Sequence, residues 1–161
     1  MMDGEELRRR YAAGERDFSG LNLRGINISG SEPMEDVFIN IDLSGINLSG
    51  ANLTDTILAG ADLTDANLSN ANLTSANLGQ CKLIRANLSG ANLTKACLDV
   101  VEFMDTDMSG AELRSASITQ TWLGNTNMSG AKHVSNVDWT GTRVRGLVLE
   151  DGSVLNDDHD W

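Results

Sequence analysis

The chain has 161 residues, a formal net charge of −11 and only 4% aromatic residues. That acidity disfavours direct binding of nucleic acid or an anionic membrane, whose phosphates repel a like-charged surface. A conventional core of large rings is excluded, one domain is expected at this length, and the two cysteines do not make a disulfide framework. No apolar stretch has signal-peptide or membrane-spanning character, so the expected setting is a reducing cytoplasm.

Asp3 to Ala13, DGEELRRRYAA, reads as a short helix with acids at its start and arginines toward its end, the order that suits the helix dipole. Gly14 supplies a stop. Leu7 and Tyr11 stand at i, i+4 and form a small apolar face. Residues 1–15 are therefore expected to cap the open end of the segment that begins at Arg16.

From Arg16 a five-residue frame runs, centred on Phe18, Leu23, Ile28, Pro33, Phe38 and Leu43, then on leucine at every fifth residue as far as Leu98. Two residues before each centre comes a smaller inward position: Leu21, Ile26, Ile41, Ile46, then mostly alanine. A period of five is neither helical nor extended, and a fixed short period calls for a solenoid whose units bury their apolar groups by stacking. Pro33 and Asp36 break the pattern, so Ser31 to Asp36 is expected to loop outward. Every twentieth residue a serine recurs, followed by glycine at Gly30, Gly50, Gly90, Gly110 and Gly130, which sets four units per coil with the glycine at a corner of positive φ. Near 131–136 the frame slips, because AKHVSN takes six residues. Centres resume at Trp139, Val144 and Leu149. The repeat thus spans 16–151, and the acidic tail 152–161 is expected to fray.

The pattern A(D/N)LXX, as in ANLTDTILAGADLTDANLSN, resembles the pentapeptide-repeat family. The resemblance implies an all-β solenoid, a right-handed quadrilateral β-helix, here with a short N-terminal capping α-helix. The opening ELRRRYAAGERDFSG and the closing RVRGLVLEDG resemble the flanks of cyanobacterial members.

Chemistry-bearing residues are sparse. Cys81 falls on an inward position between Ala61 and Val101, and Cys97 on an outward one, where it reads as an exposed thiol; on adjacent faces, they do not form a bridge. His133 lies in the slip and His159 in the tail, so no metal-ligand spacing arises and no cofactor is expected. The serines from Ser29 to Ser129 have no accompanying base and read as backbone partners. Asn27, Asn47, Asn67 and Asn87 read as a stacked amide ladder. Glu102 and Asp105, one coil from Lys82 and Arg85, read as a surface salt network.

One departure exceeds this background. Ile84, Met104 and Trp122 occupy outward positions that are otherwise polar, on the face that contains Leu83 and Phe103, in successive coils. A contiguous apolar patch of this kind marks an interface. A second group, Val37, Ile39 and Ile57, lies on a neighbouring face near the other end. The sequence therefore points to a non-enzymatic scaffold with an unidentified protein partner, as a monomer or weak homodimer. The alternative, implied by the family resemblance and the acidity, is a DNA mimic that binds a type II topoisomerase (gyrase). Against it stand Lys82 and Arg85, which interrupt the stripe Asp42, Asp62, Asp65, Glu102, Asp105. An enzyme would need a base, a metal set or a phosphate loop, and the sequence offers none of these.

Overall fold

The computed structural model describes residues 2–28, 41–155 and 159–160. In its regular part each five-residue unit disposes of its five backbone N–H groups in one way, seen around Leu63. The Ala61 N–H turns back to Leu58 O at 3.0 Å and closes a corner. Asp62 N–H donates to Ile41 O in the preceding coil at 2.9 Å, while Leu63 and Asp65 N–H donate to Lys82 O and Ile84 O in the following coil at 2.8 and 2.9 Å. The Thr64 N–H remains, and the Asp62 carboxylate takes it at 3.0 Å. Every donor is paired without a long strand. Asparagine or aspartate precedes the centre because its side-chain oxygen caps the one amide the ladder leaves over. The same bond recurs at Asn47, Asn67 and Asn87 on one face and at Asn52, Asn72 and Asn92 on the next. The amide ladder expected between coils is a lesser feature, made at Asn47–Asp17, Asn52–Asn22 and Asn127–Asp107.

Parallel bridges join residues twenty apart, as in Asp62–Lys82–Glu102 and Asn47–Asn67–Asn87, so four units complete a coil. Four inner columns result. One contains Leu43, Leu63, Leu83, Phe103, Leu123 and Val144, all buried. Alanines at the small position fill the space between columns, and threonines share that role. The Thr106 hydroxyl donates to Leu83 O at 2.7 Å and that of Thr126 to Phe103 O at 3.2 Å, so a buried hydroxyl finds a carbonyl one coil away. Cys81 behaves alike, its Sγ 3.0 Å from Leu58 O, and burial pushes its thiol up to about 12. Cys97, expected to be exposed, is half-buried, and both thiols are free.

Left-handed backbone marks the corners of the regular coils among the described residues. It occurs at Gly45 and Gly50, and equally at Asp65, Asn70, Arg85 and Val100. The recurring glycine is thus one occupant of a position that the chain fills with many residue types.

Register changes near each end. Asp17 pairs with Asn47, Asn22 with Asn52 and Asn27 with Ile57, an offset of thirty rather than twenty. Asn27 therefore stands above Ile57, and Asp17 takes the place in the asparagine column that the sequence reading gave to Asn27. Ser19, by the same shift, lies over Ser49, whose carbonyl accepts from Gly20 N–H at 2.8 Å. Ser29, Pro33, Asp36, Val37 and Ile39, with the loop expected at Ser31 to Asp36, lie outside the described residues. At the other end Trp122 pairs with Arg143 and Ser117 with Asp138, an offset of twenty-one. The extra residue is absorbed where His133 turns left-handed (φ 60°) before a single 3-10 turn, Val134–Asn136. His133 is tied by Glu112 at 2.6 Å and faces Arg114 at 3.1 Å.

Helix α1, Gly4–Ala12, is capped by the Asp3 carboxylate, which accepts from Glu6 N–H at 2.8 Å. Leu7 is fully buried against the first core layer. A Cβ on Gly4 would lie 1.8 Å from Asn27 O, so only glycine permits this approach. Tyr11 donates its hydroxyl to Ser44 O at 2.7 Å, and Arg8 Nη1 reaches Asn27 O and Ile28 O at 3.4 Å. Opposite, the tail folds back. On one side β1 (Glu102–Met104), β2 (Trp122–Gly124) and β3 (Arg143–Arg145) run parallel, and β4 (Leu147–Val148) lies on the next. The tail adds β5 (Val154–Leu155) antiparallel to β4 and β6 (His159–Asp160) antiparallel to β3. Fraying was expected of the tail; among its described residues, 154–155 and 159–160 are paired. Trp139 is half-buried over a small apolar cavity of about 70 Å³ that it shares with Met128, Val144 and Leu147.

Candidate protein-interaction face

The side built on Leu43, Leu63, Leu83, Phe103, Leu123 and Val144 departs furthest from the capping rule. Before these centres stand Asp42 and Asp62, then Lys82, Glu102, Trp122 and Arg143. Lys82, Trp122 and Arg143 lack the carboxylate or amide oxygen that elsewhere caps the strand, and the exposed Glu102 is the one acid left among these four levels. Contrast the side of Leu98 and Ile118, where Cys97 and Ser117 also lack it. There Asp99 compensates, accepting from Thr119 N–H at 2.9 Å, Thr119 Oγ1 at 2.8 Å and Ser117 Oγ at 2.6 Å. Partial burial pushes the Asp99 carboxyl up, and these bonds outweigh it and hold the group below its usual range.

Past the centres of the first side come Ser44, Thr64, Ile84, Met104, Gly124 and Arg145. Ile84 and Met104 share this column. Trp122 stands across the strand in the column of Glu102, and Gly124 pairs with Met104. Even so, the Trp122 and Met104 side chains meet, one level from Ile84. Trp122 Nε1 donates to Met104 Sδ at 2.9 Å, directly over Gly124. A Cβ at residue 124 would lie 2.4 Å from that sulfur and 2.7 Å from the indole nitrogen. Glycine is what lets Trp122 fold across onto Met104. All three ridge residues are half-buried, yet none joins the core cluster or packs against it.

Beside Trp122 the corner opens into a shallow groove of about 390 Å³, bounded by Val100, Glu102, Gln120, Gly141 and Arg143. Val100 is 48% exposed with φ 61°. A β-branched residue in left-handed backbone is strained, and no burial compensates here. The sequence reading missed Val100 and Gly124. The signal for Val100 was present: other corners carry glycine or a polar residue. Gly124 carries none, since glycine at that position in a strand has no pattern to break. Ile57, from the second expected group, is 41% exposed.

The polar frame of the ridge is ordered along the rod. Lys82 meets Asp62 at 3.7 Å, and Arg85 grips Asp65 at 2.7 Å, holding that carboxyl below its usual range. The expected salt network thus runs from Lys82 and Arg85 back to the preceding coil. Asp105 receives the Asn125 amide at 2.9 Å. Glu102 is exposed at the centre, and Arg143 and Arg145 are exposed at the far end. Among the described residues no group of three or more His, Cys, Asp or Glu is placed to hold a metal ion, and no helix is long and apolar enough to cross a membrane.

A family model described as pentapeptide repeats matches residues 37–70, 71–110 and 102–130, in 8 copies. No curated protein matches. Among solved structures the chain is similar to the pentapeptide repeat protein Rfr23 of the cyanobacterium Cyanothece 51142, at 29% identity and TM-score 0.51, over 84% of this chain and 99% of that one. HetL, a pentapeptide repeat protein involved in heterocyst differentiation regulation in the cyanobacterium Nostoc sp. strain PCC 7120, is 24% identical at TM-score 0.35, over 96% and 100%. QnrB1, a plasmid-mediated fluoroquinolone resistance protein, is 19% identical at TM-score 0.47, over 88% and 85%. Right-handed quadrilateral β-helices are the fold of such repeats, and the four-column stack of this chain is one.

Proposed function

We propose that this chain, which belongs to the pentapeptide-repeat family, is a non-enzymatic protein-interaction scaffold whose binding face is the ridge Ile84, Met104 and Trp122. The observation that carries the reading is an apolar ridge outside the core, on a side where Lys82, Trp122 and Arg143 replace the usual capping residue. Local rules are broken where function requires it. Burying about 250 Å² of this ridge contributes about 6 kcal/mol before association costs. The double substitution Trp122→Asn and Met104→Ser restores the ordinary repeat and spares the core. Affinity capture from the source cell should recover a partner with the wild type and lose it with the variant. Equal recovery from both would make the ridge bystander surface.

The DNA-mimic reading is favoured by the net charge and by the family. The ion pairs Lys82–Asp62 and Arg85–Asp65 place cations within the acidic stripe, against the continuity a mimic needs. Inhibition of gyrase supercoiling that survives the double substitution would reverse the order of the two readings.

A further inference from the structure

Resting on the reading of this ridge as a binding face, we infer that its occupant is a second copy of this chain, laid face to face with the two rods antiparallel. Six levels make up the face: Leu43, Leu63, Leu83, Phe103, Leu123 and Val144. The ridge spans the third, fourth and fifth, so its midpoint is the Phe103 level. A two-fold axis there, perpendicular to the rod and lying in the interface, maps the sixth level onto the second and the fifth onto the third. It also keeps each column opposite itself.

Charge selects this arrangement. Arg143 and Arg145, at the sixth level, come to face Asp62, Thr64 and the adjoining Asp65 at the second, where the two carboxylates already hold Lys82 and Arg85 of their own chain and each takes on a second cation. Trp122 faces Lys82, a cation over an indole. Ile84 faces the Gly124 level, and Met104 meets its own copy on the axis. The parallel arrangement instead sets Arg143 and Arg145 against the same pair and gains none of these contacts. One unfavourable meeting remains, Glu102 against its symmetry mate at the axis, and it supplies a test of opposite sign.

Extent sets the strength. Six levels at about 4.8 Å and a strand about 13 Å wide give a face of about 400 Å². Stable complexes bury about 800 Å² per partner. The dimer is therefore weak, with a dissociation constant of about 100 µM or more.

Sedimentation equilibrium of the full chain from about 20 µM to about 1 mM tests this. Wild type should show mass rising with concentration, and Trp122→Asn with Met104→Ser should weaken the dimer about tenfold or more. Glu102→Gln should tighten it about threefold by removing the facing carboxylates. The decisive arm is a charge exchange. Arg145→Glu and Asp65→Lys should each abolish association alone, since each homodimer then carries two like-charge meetings. Mixed one to one they should restore it to within about twofold, because both meetings become opposite in sign. Lys95 shows that lysine occupies a left-handed corner in this fold, and the Arg85 pair that Asp65→Lys removes is solvent-exposed and worth little to stability, so the variant keeps the fold. A monomeric wild type at about 1 mM, or no recovery on mixing, overturns the dimer. If a different protein is nevertheless captured through the ridge, the scaffold reading stands without it.

Discussion

The two ends of this rod are closed by different means, and the difference stems from how its hydrogen bonds point. On each side a unit sends two N–H groups toward the next coil and receives one in return, as Leu63, Asp65 and Lys82 show. The first coil therefore presents surplus carbonyls to solvent, and the last presents surplus N–H groups. At the N-terminal edge the cap consists of donors: the Tyr11 hydroxyl on Ser44 O and the Arg8 guanidinium on Asn27 O and Ile28 O. At the C-terminal edge the cap is backbone, with β5 and β6 laid antiparallel on β4 and β3, which brings carbonyls to waiting amides. A helix offers side chains, and a strand offers backbone. Each end recruited the element whose free groups match.

The largest effect should come from removing one cap and then the other. Deleting residues 1–15 uncovers Phe18 and the layer Leu7 fills, and should lower Tm by about 10 °C or more with loss of monodispersity. Deleting residues 152–161 uncovers a layer already half-open at Trp139, and should cost less, about 5 °C. Differential scanning calorimetry of both truncations decides; equal losses would break the comparison.

A smaller effect isolates edge polarity. Arg8→Ala removes a donor and should destabilise by about 1 kcal/mol in urea titration. Arg8→Glu should cost about 1 kcal/mol more, since a carboxylate then faces two carbonyl oxygens. That extra cost should vanish as pH falls below about 4, where the introduced carboxyl protonates and becomes a donor itself. If alanine and glutamate behave alike at neutral pH, the edge has no preference for donors.

The smallest change concerns the middle, where no capping is needed. Val100→Gly relieves a strained corner and should stabilise by about 1 kcal/mol. Stabilisation by urea titration, with the ridge left intact, is the expected result.

The middle was legible for a physical reason. A repeat of leucine and alanine specifies its own register, because each unit can bury its apolar groups only against a copy of itself. The asparagines were legible as a pattern, but their main role, capping an amide within their own unit, required the hydrogen-bond pattern to be known. The ends were less readable. Gly4 and Tyr11 act through distances to Asn27 and Ser44 that no local pattern encodes, and the shift of thirty at Asp17 rewrites the columns without changing the five-residue beat. The ridge was found because Ile84, Met104 and Trp122 broke the pattern. Its geometry, with Trp122 folded across Gly124, was not.

The unequal traffic of bonds between coils has an electrical consequence. Each unit leaves one peptide moment of about 3.5 D uncancelled along the rod. The moments add from coil to coil, as they do in an α-helix, but with the opposite sense: the N-terminal pole is negative and the C-terminal pole positive. Arg8, on the exposed carbonyls of one pole, and Glu150 and Asp151 at the other suit that field, whereas Glu5, Glu6, Arg143 and Arg145 run against it. A rod polarised in this way is attracted sideways to a copy of itself only when the head of one lies beside the tail of the other.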